Sequence, residues 1–283
     1  MPETTQTILR IAVAQSTVRE DPTDADGLRA SGAEARRFLQ DAAAAGARLV
    51  HFPEGALCFP NKYVMSELGP DELGPADWTK ASWSVLQDEL DQIVALSGEL
   101  GIWTVIASVH QRPDGKRPHN SLYVVSDQGK IVARYDERTL STTKLTYMYT
   151  PDSEPVTFEI DGYRLGLTLG MDVHFPELYT AYDAAGVDGV LISYSTKGGP
   201  GNDRAGTEAR GHAAANCYWV SLAVAANPSS NIESGVIDSM GDWIARCPSD
   251  GSPAIAVADL DRSHAFPPVA HDWRREARSR ISS

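Results

Sequence analysis

The chain has 283 residues, a formal net charge of −13 and an isoelectric point near 4.9. Apolar residues make up 42% of it and aromatic residues 8%, as in ordinary globular proteins. The acidic balance argues against nucleic acid or an anionic membrane surface as a partner, and no apolar run is long enough to span a bilayer.

The cysteines and the N-terminal residues indicate the cellular compartment. The three cysteines, Cys58, Cys217 and Cys247, do not have the spacing of metal ligands. The first residues lack the basic and apolar regions of a signal peptide. Cysteines without an export signal are typical of a reducing compartment, so we expect a cytoplasmic protein.

The first half of the chain alternates apolar runs with amphipathic stretches. Strands are predicted at residues 8–14, 49–52 and 102–109, helices at 24–45 and about 79–100, and a polar loop at 61–75. Two hairpins follow, because Ser126–Lys130 and Asp161-Gly162 are turn sequences between apolar runs.

The second half continues the alternation. Strands are predicted at residues 163–169, 189–193, 219–225, 236–238 and 254–259, with helices opening at Pro176 and spanning 203–216. No repeat or linker interrupts this pattern, which favours one mixed α/β domain over residues 1–262. The basic segment 263–283 contains Trp273, and we expect it to pack on the domain or on a partner subunit.

Conspicuous residues follow three of the strands. Glu54 comes after the second strand, Glu137 after the second strand of the first hairpin, and Gly170 and Asp172 after residues 163–169. If these strands are neighbours, their carboxyl ends bring the three acids together, where α/β proteins bind ligands. For Asp172, a helix cap is the more ordinary interpretation.

Several segments resemble the nitrilase, or carbon–nitrogen hydrolase, superfamily across residues 8–261. They are Phe52-Pro-Glu-Gly-Ala-Leu57, Tyr135–Leu140, Gly166–Leu178 and Ala213–Asn227. The resemblance implies an α/β fold, a four-layer αββα sandwich that usually dimerises. It also implies a catalytic set of a glutamate base, an oxyanion-stabilising lysine and a cysteine nucleophile.

Only part of that catalytic set is present in this sequence. Glu54 stands at the position of the glutamate. In Tyr135-Asp-Glu-Arg-Thr-Leu140, Glu137 replaces the lysine, and Gly170 replaces the cysteine. Glycine cannot form a covalent intermediate, and a carboxylate would repel the oxyanion that the lysine stabilises. We therefore do not expect amide or nitrile hydrolysis by the usual route.

Further pocket residues are predicted around this set. Lys144 either enters the pocket and pairs with Glu137 or is an exposed loop lysine. We expect Tyr147, Met171 and Asp172 to contact the ligand. Lys197, in the glycine-rich stretch 197–202, is expected to line the same pocket, because the resemblance places that loop there.

These residues predict an acidic pocket. Two carboxylates in one buried site cannot easily both ionise, so the pKa of Glu54 or Glu137 should rise. An uncompensated acidic site favours an amine-bearing ligand, and Gly170 leaves room for a water or a substrate atom. Glu54, Glu137 and Asp172 supply too few oxygen ligands for a metal, so neither a metal nor a cofactor is predicted.

Three hypotheses for function remain open. The first is an enzyme that acts on a small amine-bearing metabolite with Glu54 and Glu137 as acid and base. The second is a non-catalytic binding or scaffold protein with the same fold. The third, the least favoured, is an amidase or nitrilase that uses a displaced cysteine such as Cys58. In each case we expect a homodimer or a higher homo-oligomer.

Overall fold

The computed structural model describes residues 7–152, 154–195, 203–227, 232–264 and 267–281. The strands are β1 (Ile8–Gln15), β2 (Leu49–His51), β3 (Trp103–His110), β4 (His119–Val125), β5 (Ile131–Asp136), β6 (Thr157–Ile160), β7 (Tyr163–Leu169), β8 (Gly189–Tyr194), β9 (Trp219–Val224), β10 (Gly235–Ile237), β11 (Trp243–Arg246) and β12 (Ala254–Asp261). The α-helices are α1 (Ala25–Ala44), α2 (Trp83–Leu100), α3 (Pro176–Ala184), α4 (Arg204–Asn216) and α5 (Pro268–Ile281).

The strands form two six-stranded sheets. The first has the order β12-β1-β2-β3-β4-β5 and the second the order β11-β10-β9-β8-β7-β6. The central strands β1, β2 and β3 are parallel, as are β7, β8 and β9, while the outer strands are antiparallel. Parallel strands are buried on both faces, which explains why their sequences are continuous apolar runs.

Three apolar layers connect the elements into an αββα sandwich, as expected. The middle layer lies between the two sheets and includes Leu9, Val105, Leu167 and Leu191. Side chains of α1 and α2 cover the outer face of the first sheet, and those of α3 and α4 cover the outer face of the second.

Both predicted hairpins form, and the second shows why its turn sequence is informative. Asp161 and Gly162 have positive φ angles of 49° and 81°, as the tightest hairpin turn requires. The β6 and β7 strands pair in the register that this turn sets.

Two elements of the C-terminal region were not predicted from the sequence. Residues 243–246 form the edge strand β11, which the sequence analysis did not predict. The basic tail contains the fourteen-residue helix α5. Among the residues described, no helix has the length and apolarity needed to cross a membrane.

Candidate functional site

Glu54, Glu137 and Gly170 converge at one end of the sandwich. The strands that carry them are not neighbours, contrary to the condition stated above. β3 and β4 lie between β2 and β5, and β7 belongs to the other sheet. Glu54 and Glu137 are each 1% exposed. The site is therefore a junction between the two sheets.

Lys144 lies between the two carboxylates. Its Nζ is 2.6 Å from Glu54 Oε1 and 2.9 and 2.7 Å from the two oxygens of Glu137. The lysine side chain is 16% exposed, so the exposed-loop interpretation is wrong. The acidic pair is compensated by an ammonium, which removes the basis for an uncompensated acidic pocket.

A single π-helical turn, Lys144–Met148, returns Lys144 to the site. Tyr149 donates its backbone N–H to the Lys144 carbonyl at 2.9 Å, the spacing of a π-turn. The loop before α2 fixes this turn, because Ala76 N–H donates to Tyr147 O and Trp78 Nε1–H to Met148 O. Such turns are rare and occur frequently at functional sites.

Asn120 completes the cluster and was missed by the sequence analysis. Its Nδ2 donates to Glu54 Oε1 at 2.8 Å and to Glu137 Oε2 at 2.7 Å. Backbone N–H groups take the remaining places, from Met171 to Glu137 Oε1 at 2.9 Å and from Ser195 to Glu54 Oε2 at 3.0 Å. Both carboxylates are held by donors only.

The predicted rise in pKa falls on Glu137. Burial raises its pKa to about 7, and the charge of Glu54 adds to this rise although Lys144 opposes it. For Lys144, burial disfavours the ammonium, but the carboxylates of Glu137 and Glu54 outweigh it and raise the pKa. Lys144 is therefore a cation at neutral pH and not a free amine nucleophile.

Gly170 does not leave open space, contrary to expectation. It begins the 3₁₀ turn Gly170–His174 with φ +59°, and a Cβ built there would lie 2.4 Å from Glu137 Oε1 and 3.0 Å from Glu54 Oε1. The carboxylates occupy the position toward which a side chain at residue 170 would point.

Asp172 does not face a ligand. It is fully buried, and Tyr135 Oη–H donates to its Oδ2 at 2.5 Å. Thr139 donates its N–H and hydroxyl to Oδ1 at 2.9 and 2.6 Å. Its carboxylate holds the segment after β5 against the turn after β7, so the predicted ligand contact is wrong.

A cavity of about 370 Å³ adjoins Lys144. Its lining includes Phe59, Lys62, Tyr63, Lys144, Tyr149 and Ser195. The described lining does not include Tyr147 or Met171, whose contact with a ligand stays a prediction, and Lys197 lies outside the described residues. Within the described ranges, no three His, Cys, Asp or Glu side chains are grouped to hold a metal ion.

None of the three thiols is activated. All are free and buried, and burial raises the pKa of each. Cys58 precedes Phe59 of the cavity wall, but the charges of Asp21 and Glu20 raise its pKa further. A reactive cysteine needs the opposite surroundings.

Comparison with known proteins decides the family. A family model described as carbon–nitrogen hydrolase matches residues 10–265. The chain belongs to the carbon–nitrogen hydrolase family. A Mycobacterium tuberculosis protein named as a hydrolase is 28% identical to this family member over 277 residues, covering 89% of each chain. The deaminated glutathione amidase of Bos taurus is 24% identical, covering 67% of this chain and 63% of the amidase.

Solved structures agree on the nitrilase-type fold. The amidase of Nesterenkonia sp. AN1, of the nitrilase superfamily, superposes with a TM-score of 0.72 at 20% identity, over 97% of this chain and 95% of the amidase. Another structure of that amidase shows the acetamide moiety of fluoroacetamide added covalently at the active-site cysteine. In this carbon–nitrogen hydrolase family member, the hydrogen-bonding partners of the Glu54–Lys144–Glu137 cluster among the described residues include no thiol.

Proposed function

We propose that this member of the carbon–nitrogen hydrolase family binds a small molecule in the cavity beside Lys144 and does not hydrolyse it through a cysteine. The observation that supports this is the filled space at Gly170. The Glu137 and Glu54 carboxylates lie where a side chain at residue 170 would be, and Lys144 pairs with both. Every oxygen of the two carboxylates already accepts a hydrogen bond.

The test combines binding and turnover. The purified full chain is screened against small amides, nitriles, amines and carboxylates by thermal shift and by ammonia release. We expect at least one compound to raise the melting temperature, with no ammonia above that of heat-inactivated protein. Ammonia release that iodoacetamide abolishes would support a displaced cysteine and contradict the proposal.

Carboxylate acid–base catalysis is the second candidate, favoured by the pKa of about 7 at Glu137. A group with that pKa can exchange a proton at neutral pH. Catalysis would require Lys144 to move, because Lys144 lines the cavity and neither carboxylate is among the described lining residues. Turnover of an amine-bearing metabolite that falls at least about a hundredfold in both Glu54→Gln and Glu137→Gln would support this candidate.

We also propose that the chain forms a homodimer and works in the cytoplasm. An exposed apolar stripe on α5 supports the first statement and is tested below. The three free cysteines are consistent with the second.

A further inference from the structure

The wall of the cavity beside Lys144 includes a tyrosine hydroxyl that has no partner among the described residues. Tyr149 is 3% exposed and lines the cavity. Its backbone N–H bonds to Lys144 and its ring lies 5.6 Å from the Trp78 ring, but its hydroxyl makes no hydrogen bond to any described residue. A hydroxyl on the wall of a cavity can donate a hydrogen bond to a ligand that enters it.

The Tyr149 hydroxyl is a donor at neutral pH. Burial raises the pKa of the phenol well above its usual value, and the charges of the Glu54 and Glu137 carboxylates raise it further. A phenol that stays protonated donates one hydrogen bond. This donor and Lys144 line the same cavity.

The other polar groups of the cavity wall point to the same ligand chemistry. The charged side chains among its described lining residues are Lys62 and Lys144, and no carboxylate lines it. The Ser141 and Thr143 hydroxyls add further donors. Phe59 and Tyr63 provide aromatic surface beside these groups, so an acceptor group on an apolar body fits both kinds of surface.

We propose that the ligand of this cavity is a small organic carboxylate, which accepts a hydrogen bond from Tyr149 and pairs with Lys62. This inference rests on the proposed function, since it names the kind of molecule that the cavity binds. Lys144 contributes its charge only, because its three N–H groups already point to Glu54 and Glu137. The inference reverses the amine-bearing ligand expected from the sequence.

The charge of the cluster sets a condition on this binding. With both carboxylates ionised, Glu54, Glu137 and Lys144 carry a net charge of −1, and protonation of Glu137 makes the cluster neutral. Lys62 is the remaining charged group of the described cavity wall. A carboxylate ligand should therefore bind about three- to tenfold more tightly at pH 6 than at pH 8.

Three probes of similar size test the inference. Benzoate, benzamide and benzylamine differ in charge at one substituent, and titration calorimetry measures their affinities for the full chain at pH 6. We expect benzoate to bind at least about tenfold more tightly than either of the others. Benzamide or benzylamine binding as tightly as benzoate would overturn the inference.

Two matched variants locate the binding. Tyr149→Phe removes only the unpartnered hydroxyl, so folding should be retained, and benzoate affinity should fall about tenfold. Tyr123→Phe removes a hydroxyl outside this cavity, which bonds to His110 Nδ1, and should change the affinity less than twofold. Equal effects in the two variants, or none in Tyr149→Phe, would overturn the inference.

The outcomes also separate the inference from the proposed function. If benzamide or benzylamine binds as tightly as benzoate and this binding weakens in Tyr149→Phe, the inference of a carboxylate ligand is overturned. The proposed binding function is then still supported. Consumption of benzamide would contradict the proposed function itself. If no probe binds at concentrations up to about 10 mM, the carboxylate inference is overturned, whereas the wider thermal-shift screen still decides whether the cavity binds another class.

Discussion

Gly170 meets two constraints that few residues satisfy together. Its φ of +59° lies in the left-handed region, and the Glu137 carboxylate occupies the space into which a Cβ would project. Glycine accepts the conformation without a steric penalty. It also makes room for two carboxylates and an ammonium at the end of β7.

Gly170→Ala should destabilise the protein more than Gly101→Ala does. Both positions have nearly the same φ, +59° and +63°, but nothing lies within 4 Å of a Cβ at Gly101. We expect about 1 kcal/mol for Gly101→Ala and about 3 kcal/mol or more for Gly170→Ala, because the second also displaces Glu137. Urea denaturation measures both, and equal losses would show that the site has spare room.

Lys144→Met should be strongly destabilising. The methionine keeps most of the apolar volume but leaves Glu54 and Glu137 buried without a cation. Removing one partner of a buried ion pair costs about 3–5 kcal/mol, less the part that protonation of Glu137 recovers. The control Lys62→Met lies on the cavity wall and has no ion pair among the described residues, so it should cost less than about 0.5 kcal/mol. A small loss in Lys144→Met would mean that the ammonium does not hold the cluster in solution.

Glu137 should make stability fall as the pH rises. Its folded pKa of about 7 lies above the ordinary 4.5, so the folded state binds the extra proton. The contribution is fully present below pH 4.5 and is lost as the pH rises through 7, by about 3 kcal/mol in all. His51 acts oppositely, because burial lowers its pKa to about 3.

Comparison with Glu137→Gln isolates this effect, because the His51 contribution is common to both proteins. The unfolding free energy of the wild type minus that of the variant should decrease between pH 5 and pH 8. A constant difference would show that Glu137 stays ionised, as its four donor contacts favour.

At the scale of elements, strands could be predicted where the local sequence pattern, an apolar run beside a turn sequence, is sufficient to determine the structure. Residues 163–169 were predicted with the bounds that β7 has, because an apolar run follows a turn that demands positive φ. The edge strand β11 was missed, since Trp243–Arg246 alternates only over four residues. The helix α5 was missed because its contacts, for example with Asp183 of α3 and Ala214 of α4, are made to segments distant in the sequence.

The residues of the candidate site also fall into those that could be predicted from the sequence and those that could not. Glu54 and Glu137 follow strands, so their positions at the end of the sandwich could be predicted. The position of Lys144 depends on a π-helical turn, which no local sequence pattern predicts. Asn120 lies at the start of β4, where a polar residue is common and does not indicate a functional site. Contacts between distant segments set both positions.

The helix α5 is anchored at one buried carboxylate. Asp183 of α3 is 2% exposed and pairs with His271 Nε2 at 2.8 Å, Arg275 Nε at 3.2 Å and Arg278 Nη1. Arg274 Nη1 also donates to the Ala214 carbonyl at the end of α4. The basic face of the tail is therefore directed toward the domain.

Asp183→Asn should release α5 from the domain. The variant keeps the shape but removes the charge that pairs with Arg275 and Arg278. We expect a loss of about 2–4 kcal/mol with faster proteolysis after residue 262. Glu276→Gln is the control on the same helix, because its pair with Arg280 is exposed and should contribute less than about 0.5 kcal/mol. Unchanged proteolysis in Asp183→Asn would contradict an electrostatic anchor.

For the whole molecule, the site depends on both sheets. His51 of β2 bonds through its two ring nitrogens to Ser193 of β8 and Ser221 of β9, each at 2.9 Å. His51 is three residues before Glu54, so these hydrogen bonds fix the position of the first sheet relative to the second close to the Glu54–Lys144–Glu137 cluster. The sandwich therefore fixes the separation of the carboxylates, and loops supply Lys144 and the cavity wall.

The opposite face of α5 suggests how two molecules associate. Val269, Trp273 and Ile281 are 81%, 64% and 84% exposed, and together with Ala277 they recur at intervals of four residues. Residues with this spacing form one stripe along a helix. Since the basic face already contacts the domain, we expect this stripe to pack on the same stripe of a second copy, as two-fold symmetry allows.

Trp273→Glu should therefore convert a dimer into a monomer. Light scattering should give about twice the chain mass of 30.6 kDa for the wild type and about 30.6 kDa for the variant, because a buried charge at the centre of an apolar contact is costly. Leu68→Glu changes a residue that is 55% exposed on the loop before α2 and should leave the dimer intact. A monomeric wild type, or a dimer that survives Trp273→Glu, would assign this face no role in association.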